Sequence, residues 1–138
     1  MRFFLDANIL ISVLNKEFPQ YTYTSRILSM TEENKSVTLV TTNICLAIAF
    51  YFAEKKHGEV QAKKKIGLLV EHLDIADCGN REAISVMQNK KIHDFEDGLQ
   101  YYAALHSNCN CIVSNDQDDF YFSDLPVYNA ERFFRKYV

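Results

Sequence analysis

Short apolar runs of strand character alternate with longer helical stretches along this chain, and that alternation excludes most folds. Arg2–Leu5 (RFFL) is apolar until Asp6 stops it, and Val37–Val40 (VTLV) is a β-branched run. Leu73–Ala76, Cys111–Ser114 and Val127–Tyr128 are further strand candidates. Asn8 is placed to cap a first helix whose Ile9, Leu10, Val13 and Leu14 share one stripe, before Pro19 breaks the pattern. Gln20 to Glu33 reads as a second helix, with Tyr23, Ile27, Leu28 and Met30 inward. Thr41, Thr42 and Asn43 are good starters for a third, Ile44 to His57, which Gly58 stops. Glu59 to His72 follows, with Val60, Ile66, Leu69 and Val70 toward the core. Asn80 caps a helix over Arg81–Gln88, Asp94 opens one that runs to His106, and Ala130–Lys136 is the last. Apolar strands joined by helices of crossover length predict an α/β fold with a parallel sheet covered on both faces. Without a repeat, linker or low-complexity tract, residues 1–138 read as a single domain.

Hydrophobic residues make up 48% and charged residues 24%, the balance of a soluble globular protein. No apolar run approaches the roughly 18 residues that span a bilayer. Asp6 interrupts the N-terminal apolar run too early for a signal peptide, so a cytoplasmic location without a membrane is expected. The cysteines, Cys45, Cys78, Cys109 and Cys111, match no CxxC zinc spacing, and reduced, mostly buried thiols are the expectation. The net charge of −3 lacks the basic excess of a typical nucleic-acid binder. Any RNA contact must then come from local basic patches or from metal ions bridging to phosphate.

A parallel sheet places its ligand site beyond the carboxyl ends of its strands. Asp6 ends the strand RFFL, and Asp116 lies shortly after CIVS; the two are neighbours if those strands are adjacent. Asp94 and Asp97, three apart, project from one face of the first turn of their helix. Carboxylates gathered this way repel one another, and a hard divalent cation such as Mg²⁺ or Mn²⁺ relieves the conflict while polarising a phosphoryl oxygen. Structural readings stand beside each of these. Asp6 is able to cap the helix after it, Asp94 is an equally good helix cap, Asp97 completes a capping-box-like pair, and Asp116 sits in the turn-like SNDQDDF.

The pieces FFLDANIL, DFEDGLQYYAA, IVSNDQDDF and SDLPVYNAERF occur in an order and spacing that resembles the PIN-domain family across essentially the whole chain. The resemblance implies a three-layer α/β/α sandwich with a central parallel sheet. It implies a Mg²⁺- or Mn²⁺-dependent ribonuclease leaving 5′-phosphate ends, and in the small bacterial VapC-like members a toxin held by an antitoxin protein, often as a homodimer. Carried onto this chain, it makes Asp6, Asp97 and Asp116 the metal-site carboxylates and Asp94 their catalytic support. Asn8 and Ser114 would position loops or waters. The family often carries a Glu six residues after a Ser or Thr that follows the second strand; here those positions are Ala47 or Ile48, and Glu54 lies two turns beyond. That departure opens an alternative reading, a catalytically weak or inactive PIN-fold module that binds RNA or a protein.

Lys90 and Lys91, just before Asp94, are the best candidates for touching a phosphate backbone, although a solvated helix face is the default for each lysine cluster. Of Tyr101 and Tyr102, one belongs to the core, and base stacking is the minor reading. A general-base role for His93 is the weaker reading too. A phosphate-handling domain of the response-regulator kind fits less well, because no late strand-end Lys is present.

Overall fold

The computed structural model describes residues 1–138. In chain order the elements are β1 (Arg2–Leu5), α1 (Ala7–Leu14), α2 (Tyr21–Glu33), β2 (Thr38–Thr41), α3 (Asn43–His57), α4 (Glu59–Val70) and β3 (Leu73–Ile75). They continue with α5 (Asn80–Gln88), α6 (Phe95–His106), β4 (Cys111–Val113), a 3₁₀ turn (Gln117–Phe120), β5 (Val127–Tyr128) and α7 (Ala130–Tyr137). All five strands are parallel, in the order β3-β2-β1-β4-β5. The chain leaves β1 toward β2 on one side and β4 toward β5 on the other. The gap between the ends of β1 and β4 is thus the topological switch point, where open α/β sheets bind ligands.

The seven helices flank this sheet as the outer layers of an α/β/α sandwich. One group links α1, α2, α3 and α4 with α7 through α2, and a second pairs α5 with α6. Phe3, Phe4 and Leu5 of β1 are all 0% exposed, as are Ile112 and Val113 of β4, which is why those strands read as unbroken apolar runs rather than as alternating ones. Each such side chain contributes about 1.5–3 kcal/mol by leaving water. The edge strand β3 is different: Asp74 is exposed and pairs at 3.0 Å with Arg2. Gly58, at φ +84°, makes the corner between α3 and α4.

Several local expectations are corrected. Asp6, not Asn8, caps α1: Asp6 is extended and its Oδ1 accepts the Ala7 N–H at 2.8 Å. Gly79, not Asn80, precedes α5, and its N–H donates to Glu82 Oε1 at 2.8 Å. On α4 the buried stripe runs through Ala62 and Leu69, leaving Val60 78% exposed and Val70 at the margin. The four cysteines are free; Cys45, Cys109 and Cys111 are buried and Cys78 is half-buried. No helix is long and apolar enough to cross a membrane.

Candidate functional site

Parallel pairing of β1 with β4 sets Leu5 beside Val113, so Asp6 and Ser114 leave the sheet together. The Asp6 N–H extends the ladder to the Val113 carbonyl at 3.0 Å. Ser114 Oγ is then a hub: it donates to Asp6 Oδ2 at 2.8 Å and accepts from the Asp116 N–H and from Asn8 Nδ2, both at 3.1 Å. One hydroxyl donor and two lone pairs are thereby all used. Asn8 Nδ2 also reaches Asp116 Oδ2 at 3.1 Å, and Asn8 Oδ1 accepts the Asn115 N–H at 3.1 Å. Asn8 therefore ties Asp116 to the end of β1, which explains why its side chain is not free to cap α1.

The third arm is the start of α6. Asp94 is its cap, accepting the Asp97 N–H at 3.0 Å on Oδ1. Further along the helix, buried Gln100 accepts from Thr42 Oγ1 at 2.7 Å, and Thr42 caps α3 through the Cys45 N–H at 3.2 Å. The start of α6 is thus fastened to the end of β2. Gly98 allows α6 to meet α5 closely, since a Cβ there would stand 2.8 Å from Val86 Cγ1 and 2.9 Å from Ile92 Cγ2.

The charges in this cleft are of one sign. Burial pushes the Asp6 carboxyl above its usual range; the Ser114 hydroxyl and Ala7 N–H oppose that, and Asp116 and Glu96 add to it. Asp97 is pushed up to about 7, by burial first and then by Asp94, Asp119, Asp6 and Glu96. Asp119 is raised as well, by burial and then by Asp116, Asp94 and Asp118. None of the five ion pairs in the molecule involves any of these carboxylates. All four sequence-predicted aspartates, Asp6, Asp94, Asp97 and Asp116, thus belong to one acidic cluster.

Glu96 and Asp119 belong to it too and were missed. For Glu96 a signal was available, since DFED is nearly continuous acid at a helix start, whereas Asp119 is brought back toward α6 by a 3₁₀ turn that DQDDF announces only weakly. Ala47 is exposed and Ile48 half-buried, so α3 sends no carboxylate here, and Glu54 is exposed. From α3, Cys45 reaches the cluster instead, its buried Sγ 4.0 Å from Asp6 Oδ1; burial and the Asp6 charge push its thiol up to about 12.

As the side chains stand, no three His, Cys, Asp or Glu approach closely enough to cage an ion unaided. The donor set still fits Mg²⁺ or Mn²⁺. It is all carboxylate oxygen, its charge is uncompensated, and these ions keep waters rather than demanding a full protein cage. Lys90 and Lys91 line a separate polar cleft of about 420 Å³ with Ser85, Gln88, Asn89 and Tyr102, none of which belongs to the acidic cluster. Tyr101 is the core member of its pair, and Tyr102 is half-buried with its hydroxyl accepting from Asn89 Nδ2 at 3.1 Å.

The family model described as the PIN domain matches residues 2–118. Ribonuclease VapC1 of Aquifex aeolicus (strain VF5) is 28% identical over 134 residues, spanning 94% of this chain and 91% of that one. Among solved structures, VapBC2 from Rickettsia felis, bound to a DNA fragment from its promoter, superposes with a TM-score of 0.70 at 22% identity over 94% of this chain and 98% of that one. VapC20 of Mycobacterium tuberculosis, described as a sarcin-ricin loop cleaving toxin, gives 0.66 at 10% identity over 86% and 92%. At these identities the two superpositions show the fold alone.

Proposed function

The chain belongs to the PIN-domain family, and from that premise we propose that it is a divalent-metal-dependent endoribonuclease that hydrolyses RNA phosphodiester bonds. The observation that carries the reading is the acidic cluster at the switch point, with Asp97 lifted to about 7 and no cation to relieve it. A protein that gathers unpaired carboxylates in a half-buried cleft destabilises itself unless a cation completes the site. The curated relative named a ribonuclease supports the choice of RNA.

Asp6, Asp97 and Asp116 would hold Mg²⁺ or Mn²⁺. When bound, such an ion supplies Lewis-acid polarisation of the phosphoryl oxygen and support for the leaving oxygen. Ser114 and the Ala7 N–H oppose the rise that burial imposes on the Asp6 carboxyl, and Asn8 fixes Asp116 beside it. Asp94 sets the pitch of the first turn of α6 and so aims Asp97. Glu96, within electrostatic reach of both Asp6 and Asp97, takes the place of the carboxylate that α3 lacks. Lys90 and Lys91 would meet the RNA backbone beside the cluster. We extend the reading to a toxin held by a protein antitoxin, a pairing supported by the likeness to VapBC2.

The missing α3 carboxylate favours a second reading, a scaffold that keeps the fold and binds RNA or protein without turnover. Calorimetry with Mn²⁺ on wild type and Asp97→Asn, beside an RNA cleavage assay, separates the two. The nuclease reading expects wild-type binding and cleavage with 5′-phosphate products, both lost in the variant. Absent cleavage, or 2′,3′-cyclic phosphate ends, sinks it.

A further inference from the structure

The loop after the 3₁₀ turn carries an aromatic side chain that the core does not use. Tyr121 is 60% exposed, although its neighbour Phe120 is buried in the core. Its hydroxyl donates to the Lys91 carbonyl at 2.6 Å, which fixes the loop against the segment leading into α6. Its ring lies 6.1 Å from the exposed His93 ring, with the planes 24° apart, an offset-stacked pair. His93 adjoins Asp94, the α6 cap, and Tyr121 lies two residues past Asp119, a member of the acidic cluster. The two rings thus come from segments that also carry the cluster carboxylates Asp94 and Asp119 and the lysines Lys90 and Lys91, which line a polar cleft.

The Tyr121 ring, held at its tip by that hydrogen bond, also meets the Phe122 ring at 5.2 Å in a T-shaped contact, and the exposed His93 ring beside it leaves aromatic surface of both rings open to solvent. Such a surface suits a flat π-system, and the lysines beside it suit an anion. A nucleotide in a single strand offers both: an unpaired base to stack and a phosphate to pair with lysine. Fixing the Tyr121 ring in advance lowers the ordering cost of stacking on it.

We propose that Tyr121 and His93 form a base-stacking platform that holds one unpaired nucleobase of the RNA beside the acidic cluster, with Lys90 and Lys91 on the flanking phosphate. The platform rests on the ribonuclease reading. It deepens that reading by adding two substrate-binding residues. Double-stranded RNA keeps its bases stacked on one another and does not offer this surface a face.

The test is fluorescence anisotropy with 5′-fluorescein-labelled 12-mers of oligoadenylate and oligouridylate. It is run in Ca²⁺, which takes the same oxygen ligands with a looser geometry, and beside cleavage in Mn²⁺. Tyr121→Ala is expected to weaken binding of the single strand about 10-fold, and Tyr121→Phe, which keeps the ring but frees its tip from the Lys91 carbonyl, to weaken it by a smaller factor. His93→Ala is expected to fall between them, and Tyr51→Ala, an exposed tyrosine on α3, to change nothing. Wild-type protein that cleaves RNA while Tyr121→Ala binds and cleaves it equally well overturns the platform and leaves the activity standing. Wild-type protein that neither binds nor cleaves any single strand overturns both. Equal affinity for a perfect duplex and a single strand also overturns the platform.

Discussion

Ser114→Ala isolates the one hydroxyl on which three parts of the site depend. Ser114 is fully buried and spends its donor on Asp6, while its lone pairs take the Asp116 N–H and Asn8 Nδ2. Losing the hydrogen bond to an ionised, half-buried carboxylate costs about 1.5–3 kcal/mol, and stranding the Asp116 N–H costs about 1 kcal/mol more. Asn8 Nδ2 retains Asp116 Oδ2 and adds little. The sum, about 2.5–4 kcal/mol, is a large share of the stability of a small domain but not all of it. The larger part depends on pH, and its sign follows from Asp6. That carboxyl already titrates above 3.8 in the fold, so ionising it opposes folding at pH above its folded value, and stability is regained as pH falls through that value. Removing Ser114 raises the folded value further. The difference between variant and wild type should therefore be greatest at pH values where Asp6 is ionised in wild type and shrink toward about 1 kcal/mol as pH falls through its folded value. Urea unfolding of metal-free protein across a pH series measures it. A difference that stays constant from neutral to acid pH would refute the assignment of Ser114 as the donor that keeps Asp6 charged.

Metal-free Asp97→Asn should be more stable than wild type above pH 7. The native Asp97 carboxyl titrates at about 7 rather than 3.8, so wild type loses stability as pH rises between those values and the variant does not. Melting curves with and without Mn²⁺ check this, and saturating metal should reverse the order by stabilising only wild type. Gly98→Ala should destabilise the protein by about 1 kcal/mol or more even though alanine gains about 1 kcal/mol of helix propensity, because its Cβ meets the stiff branches of Val86 and Ile92 below 3.0 Å. Urea midpoints decide it, and a Gly98→Ala variant more stable than wild type would mean that α5 and α6 can separate without cost.

What was readable in the chain was what local chemistry controls. β1 and β4 announced themselves because both faces are covered, and a strand with no wet face is spelled in apolar residues alone. The acidic start of α6 was visible because a helix cap and a paired carboxylate lie within one turn. The errors arose where a distant partner overrides a local preference. Asn8 looks like a helix cap, but its amide is taken by Ser114 and Asp116, more than a hundred residues away. Val60 was placed inward on helical phase alone, whereas α4 turns that side outward because its contact with α3 is made through a narrower stripe. Glu96 and Asp119 escaped because their role depends on which loops meet, and the 3₁₀ turn that delivers Asp119 has no strong local signature. His93 was weighed as a proton carrier beside Asp94, while the ring it faces comes from the loop after the 3₁₀ turn, beyond α6 and β4.

Phe3 pairs with Cys111 in the sheet, so β1 waits for a strand more than a hundred residues further on before both its edges are paired. Distant pairings of this kind slow folding. During synthesis, β1 can associate with β2 early, but its other edge stays open until residues 111–113 have left the ribosome, some 110 residues after it. Asp6 stands on that open edge. It meets Ser114 and Asp116 only once β4 has joined the sheet, so a segment that lacks β4 carries an incomplete set of carboxylates. The strand order thus makes the acidic cluster a property of the paired β1 and β4 and of no shorter stretch of chain.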